Sequence, residues 1–134
     1  MTSIETIEGI GVKFATKLRK ARVRTTEALL KRGATRKGRS DLAAETGLSA
    51  HQILEWVNRA DLMRVKGVGE EYSDLLEAAG VDTVKELRNR RPDNLTAKMV
   101  ETNEKKRLVR RLPTQSMVER WVAHAKDLPP VVKH

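Results

Sequence analysis

Apolar positions recur at intervals of three and four along nearly the whole chain. Phe14, Leu18 and Ala21 do so after a first pair of glycines, and Ile53, Trp56, Val57 and Ala60 do so further on. This is the period of a helix with one buried face. No segment sustains the strict alternation of a strand, so the pattern predicts an all-α protein of short helices. The boundaries are well marked. Ser49 caps "AHQILEWVNRA", Asp82 caps "TVKELR" with Glu86 near the capping-box position, and Asp93 or Asn94 starts a helix after Pro92. Pro113 separates the basic stretch "EKKRLVRRL" from a last helix capped by Thr114 or Ser116, and Pro129-Pro130 ends it.

The pattern also repeats. At an offset of 58, Ile7, Gly9, Gly11, Phe14, Leu18, Ala21, Val23, Thr25 and Leu29 meet Val65, Gly67, Gly69, Tyr72, Leu76, Ala79, Val81, Thr83 and Leu87. At an offset of 65, Ser49, Ile53, Trp56 and Val57 meet Thr114, Val118, Trp121 and Val122. A seven-residue insertion between Arg88 and Leu112 reconciles the two offsets. The chain therefore reads as two tandem units, 1–60 and 61–134, with some five short helices each and a basic insertion at 88–112 in the second. Units this small bury little core alone, so they are expected to pack together.

Each unit opens on a glycine turn, "IEGIGVKFATKLRKARV" and "VKGVGEEYSDLLEAAGV". Glycines permit a tight turn, and a helix starting immediately after it points unpaired N–H groups outward, where a phosphate oxygen is bound by hydrogen bonds and the helix dipole. These stretches resemble the helix-hairpin-helix motif. With "TTEALL" and "LAAETGLSAHQILEWV" they are similar to the small helical N-terminal domain of strand-exchange recombinases. The doubled arrangement resembles a bacterial family of unknown function built from two such units. The resemblance implies a fold and a capacity for sequence-independent contact with the DNA backbone at Gly9, Ile10 and Gly11, with Gly67, Val68 and Gly69 as the second hairpin.

Charge separates the two copies. Ile4–Arg24 carries six basic and two acidic residues, a net +4, whereas Asp61–Leu87 carries three basic and seven acidic, a net −4. Lys13, Lys17, Lys20 and Arg24 follow at four, three and four, along one face opposite the Phe14-Leu18-Ala21 stripe. Glu70 and Glu71 stand in the first turn after the second hairpin, where they stabilise the helix dipole and repel phosphate. Further cations, Arg36, Lys37 and Arg39, flank Gly38 at a loop or helix start. Lys105, Lys106, Arg107, Arg110 and Arg111 form a basic amphipathic strip that Arg88, Arg90 and Arg91 extend. The whole chain of 134 residues has a formal net charge of +9, which favours polyanionic partners.

Other chemistry finds little support. Without cysteine there is no disulfide or thiolate site. His51, His124 and His134 lack metal spacing, no glycine-rich run ends in Lys-Ser/Thr, and no nucleophile, histidine and acid stand together. The expectation is a non-enzymatic protein with no metal, cofactor or small-molecule substrate. The stretch "MTSIETIEGIG" shows no basic region followed by an apolar run, and no segment approaches roughly 20 apolar residues, so a cytoplasmic, membrane-free location is expected and Asn94-Leu95-Thr96 reads as a helix start. "LAAETGLSAHQILEWV" also reads as a helix-turn-helix, but its outward positions, His51, Gln52, Glu55 and Asn58, offer nothing to guanine, and Trp56 and Trp121 fit core anchors better than base-stacking platforms. Non-specific binding of duplex DNA is the leading expectation, with a protein adaptor docking a partner at the second hairpin as the alternative. One residue departs from the repeat: Arg22 stands where the second copy has Gly80. Two readings stay open, that Arg22 carries strain at a helix end that suits glycine, or that the first helix ends differently.

Overall fold

A computed structural model of the chain describes residues 2–7 and 9–134. Among these, the fold is all-α, with eight α-helices after a short 3-10 turn at Ile4–Thr6 and no strands. The chain divides into one unit of 1–61 with 131–134 and another of 62–130. The sequence assigns 61–134 to the second unit. The last four residues lie instead with the first, because the Lys133 N–H donates to the Ala34 carbonyl at 2.7 Å and Val132 is buried.

In the first unit, α1 (Gly11–Lys20), α2 (Thr26–Arg32), α3 (Arg36–Thr46) and α4 (Ala50–Leu62) follow the 3-10 turn. Helix α1 packs on that turn and on α3, and α2 packs on α3. The buried side chains include Ile4, Ile7, Ile10, Leu18, Val23, Leu29, Leu42, Ile53, Trp56 and Val57, the positions that the apolar period marks. Leu48, Ile53, Trp56 and Val57 thus complete a core, with Gly47 turning the chain between α3 and α4 at φ 76°.

In the second unit, α5 (Glu70–Ala78), α6 (Val84–Leu87), α7 (Pro92–Lys106) and α8 (Gln115–Asp127) surround one cluster that includes Leu76, Leu87, Leu95, Met99, Val118 and Trp121. Helix α8 packs on α6 and α7, and α5 on α7. Among the described residues the first unit thus has five helical segments, the 3-10 turn included, and the second has four, one fewer than expected.

The internal repeat is visible in the geometry. Phe14 meets Trp56 with ring centroids 5.4 Å apart and planes at 48°, and Tyr72 meets Trp121 at 5.1 Å and 52°. Both first helices end in the same Schellman motif. Val23 N–H reaches the Leu18 carbonyl and Arg22 N–H that of Arg19, as Val81 reaches Leu76 and Gly80 reaches Glu77. Thr25 and Thr83 then cap α2 and α6, so the cap of α6 is Thr83 and not its neighbour Asp82. Thr114 caps α8. The seven extra residues of the second copy fall as two at the end of α7 and five in the loop 107–114.

Two expectations change with these boundaries. Helix α1 stops at Lys20, so Arg24 lies in an extended segment whose carbonyl accepts from the Ile4 N–H at 3.2 Å. It is not on the helix face. Helix α7 stops at Lys106 with Arg107 left-handed at φ 49°, so Arg107, Arg110 and Arg111 lie on a loop and form no helical strip. Asn103 clasps that loop with both ends of its amide, to the Val109 carbonyl at 3.1 Å and from the Val109 N–H at 3.0 Å.

Candidate nucleic-acid interface

The first hairpin is built by burying three isoleucines one turn apart. Ile4, Ile7 and Ile10 face the core, and the backbone between them closes through Ile7 N–H to Ile4 carbonyl and Ile10 N–H to Ile7 carbonyl. Gly9 makes the turn at φ 91°, and Gly11 enters α1 at φ 59°, both values that side chains resist. Beneath the turn lies the Trp56 indole, whose Nε1 would stand 3.7 Å from a Cβ on Gly9.

How the helices begin distinguishes the hairpins from the rest of the chain. Hydroxyls of Thr25, Thr35, Ser49, Thr83 and Thr114 cap α2, α3, α4, α6 and α8, and α7 opens on Pro92. Helices α1 and α5 follow their glycine turns directly, and neither has a side-chain cap among the described residues. Their first N–H groups therefore keep their hydrogen-bonding capacity for water or a ligand. Helix α1 has no acidic residue in its first turn, while α5 has Glu70 and Glu71, so only the first end combines free donors with an unopposed positive dipole.

Beside that end, Lys13 and Lys20 are exposed and Lys17 half-buried, across α1 from buried Ala15 and Leu18. None of the three lysines has an ion pair among the described residues, whereas Arg19 is held by Glu5 at 3.3 Å and Arg32 by Glu45 at 2.9 Å. Val12, 74% exposed, adds an apolar surface at the hairpin. The sequence reading passed over it, although an apolar residue off the core stripe is visible in the pattern. Arg36 and Lys37 are exposed in the first turn of α3, the helix on which α1 packs.

Arg39 does not belong with them. It is 4% exposed, and its guanidinium donates to the Gly33 carbonyl and the Lys133 carbonyl, each at 2.8 Å. Burial, and secondarily the charge of Arg36, pulls its pKa below the ordinary guanidinium value. It fastens the C-terminal residues to α3. Gly38 lies inside α3, where a Cβ would come 2.1 Å from the Arg32 carbonyl oxygen, so close approach and not a loop explains this glycine.

In the second unit, Lys106, Arg107, Arg110 and Arg111 are exposed, and Lys105 pairs with Glu101 at 3.7 Å. The Tyr72 hydroxyl donates to the Arg111 carbonyl at 3.0 Å and steadies the loop. The neighbouring arginines are engaged locally: Arg88 donates to the Lys126 carbonyl, Arg90 to Glu86 and the Gly80 carbonyl, and Arg91 to Asp93.

The second hairpin repeats the turn with a different exit. Gly67 sits at φ 93°, but Gly69 is extended at φ −100°, and α5 starts one position later relative to the repeat. Val68, between them, is buried. Beside Gly67, a half-open cavity of about 420 Å3 is lined by Lys66, Gly67, Met117, Arg120, Trp121 and His124. Among the described residues, no group of three or more His, Cys, Asp or Glu side chains is placed to hold a metal, and no helix is long and apolar enough to cross a membrane.

A family model described as a domain of unknown function (DUF4332) matches residues 8–128. No curated protein and no solved structure matches.

Proposed function

The chain belongs to that family, and because its description assigns no activity, we propose from the residues themselves that this is a non-enzymatic protein that binds duplex DNA by its phosphate backbone. Contact runs through the first hairpin, Gly9–Gly11, and the lysine face of α1, without base readout. The observation that carries this reading is the start of α1: without a side-chain cap, with no acidic residue in its first turn, and flanked by Lys13, Lys17 and Lys20, which have no ion pair among the described residues. We read the glycine turns as helix-hairpin-helix units similar to those of the strand-exchange recombinases. Phosphate oxygens then accept from the α1 N–H groups while the lysines follow the strand. Arg24, Arg36 and Lys37 extend this surface, and the 105–111 segment supplies a separate basic patch. Arg39, being buried, is not part of it. Base readout by α4 is disfavoured, since its outward His51 and Glu55 pair with each other at 3.1 Å. The absence of a metal, cofactor or small-molecule substrate, and a cytoplasmic location, remain part of this reading.

The test is a salt titration of duplex binding by fluorescence anisotropy, comparing the native chain with Lys13→Glu/Lys17→Glu/Lys20→Glu. Each phosphate contact contributes about 0.9 to the slope of log K against log salt. The triple reversal should therefore lower that slope by about 2 to 3 and abolish binding at physiological salt. Equal affinity and slope in the two proteins would overturn the proposal. The second reading would then stand, a protein adaptor docking a partner at the second hairpin, where Glu70 and Glu71 are exposed.

A further inference from the structure

The cavity beside the second hairpin has a lining that the duplex-binding reading does not use. Each of its polar side chains presents a donor. Lys66 and Arg120 are exposed cations with no side-chain partner among the described residues. His124 accepts the Lys66 backbone N–H on Nδ1 at 3.0 Å, which places the ring proton of the neutral imidazole on Nε2. No carboxylate lines the cavity among the described residues.

Trp121 supplies the second, independent observation. It is 2% exposed, yet its indole N–H donates to nothing among the described residues. No fully occluded side-chain nitrogen or oxygen lacks a partner, so Nε1 must retain an opening. That opening lies toward the cavity, beside Gly67, where a Cβ would come 3.0 Å from Nε1. A nearly buried donor left without an acceptor is uncommon, and a ligand is one explanation for it. Met117 and the indole edge supply apolar contact.

The matched positions of the first unit sharpen this. Lys66 and Arg120 correspond to Glu8 and Glu55, at offsets of 58 and 65; Glu8 lies outside the described residues. Two carboxylates of one copy are two cations in the other. At these two positions the charge is reversed between the copies, while His124 stands where the first copy has Arg59, a cation beside Gly9.

We propose that this cavity binds a phosphate monoester carried on a small organic body, of mononucleotide size. Four donor side chains suit a group with three terminal oxygens better than a carboxylate with two. The cavity volume, about 420 Å3, lies in the range of small-molecule sites, roughly 300–1,000 Å3. This site is separate from the α1 lysine face and goes beyond the duplex reading. The monoester comes either from a free nucleotide or from the 5′-phosphate end of a nucleic-acid strand.

The test follows the two indole N–H signals of the full chain by 15N-correlated NMR as adenosine monophosphate is added to about millimolar concentration. The Trp121 signal, identified by its loss in Trp121→Phe, should shift while that of Trp56 stays. Inorganic phosphate should compete. Lys66→Gln and Arg120→Gln, both surface changes that spare the core, should each weaken binding about tenfold by removing a charge-assisted hydrogen bond. Lys13→Glu should have no effect, so this site and the duplex surface fail separately. A 5′-phosphorylated single strand that binds more tightly than its 5′-hydroxyl counterpart identifies strand ends as the source; equal binding of the two, with the nucleotide still shifting Trp121, identifies the free monoester. A stationary Trp121 signal, or nucleotide affinity unchanged in both charge variants, overturns the proposal.

Discussion

Arg22 decides between the two readings that its place in the repeat leaves open. Helix α1 ends in the same Schellman motif as α5, and Arg22 occupies the left-handed position at φ 67°, where Gly80 sits at φ 96°. The left-handed conformation costs a side chain about 1–2 kcal/mol that glycine does not incur. Replacing Arg22 by glycine releases that cost but widens the unfolded ensemble, which returns about 0.4–1 kcal/mol. The side chain has no partner among the described residues whose loss would count against the change. Its charge at the C-terminal end favours the dipole, yet Lys17, Arg19 and Lys20 already crowd the last turn. Arg22→Gly should therefore stabilise the protein by about 0.5–1 kcal/mol, raising Tm by roughly 2–5 °C.

Urea and thermal unfolding followed by circular dichroism measure this directly. Arg22→Ala separates backbone from charge, since alanine keeps the left-handed cost and loses the guanidinium. If relief of the backbone is the cause, glycine stabilises and alanine does not. If glycine fails to stabilise, or alanine does as well, the assignment of strain is wrong. In the same samples, a lowered salt slope for duplex binding would show that the arginine serves the basic surface.

Three further outcomes follow from particular contacts. Arg39→Ala leaves the Gly33 and Lys133 carbonyls without their donor and opens a cavity, so chemical denaturation should show a loss of about 2–4 kcal/mol. Gly11→Ala should cost about 1–2 kcal/mol because its φ is 59°, whereas Gly69→Ala, at φ −100° with nothing within 4 Å of its Cβ, should be neutral or slightly stabilising by the same measurement. The hydrogen bonds that Glu27 accepts, first from the Thr26 hydroxyl and then from the Thr2 N–H, hold its pKa below the ordinary 4.5. Its stabilisation is present above that value and disappears as pH falls through the lowered folded-state pKa. Glu27→Gln should accordingly flatten stability against pH in that acidic window, and a slope equal to that of the native chain would show that the pair of bonds does not matter.

The repeat was legible because its markers are the residues that packing and backbone geometry constrain most. Leu18 and Leu76 are fully buried, Gly9 and Gly67 share a positive φ, and Thr25 and Thr83 cap equivalent helices. Arg39 was not legible, because a run of cations reads as surface, and its burial depends on a carbonyl 94 residues away. The 105–111 strip failed for a local reason. Leu108 and Leu112 imitate a helical period, but the Asn103 clasp and the left-handed Arg107 end the helix first. The cavity draws Lys66 and His124 together across 58 residues, a spacing that no motif marks. A charge comparison across the repeat, Glu8 with Lys66 and Glu55 with Arg120, would have exposed it.

Arg107 offers an independent test of what the left-handed arginines mean. The ends of α3 and α7 also correspond: Gly47 N–H donates to the Ala43 carbonyl and Arg107 N–H to the Asn103 carbonyl, both at 2.8 Å, and both residues are left-handed. At each of these two repeated positions one copy uses glycine and the other arginine, and the arginine alternates between copies. Loss of glycine by drift would leave a mixture of small residues that tolerate the conformation, with Asn and Asp foremost. Arginine twice is better explained by exposed positive charge maintained at a backbone cost. Arg107→Gly should then stabilise the second unit by about 0.5–1 kcal/mol. Since Arg22 and Arg107 belong to different units and share no partner among the described residues, hydrogen exchange should place the added protection of Arg22→Gly on α1 and that of Arg107→Gly on α7. If Arg107→Gly adds no protection on α7, its φ of 49° carries no strain, and the argument from repeated arginines fails with it.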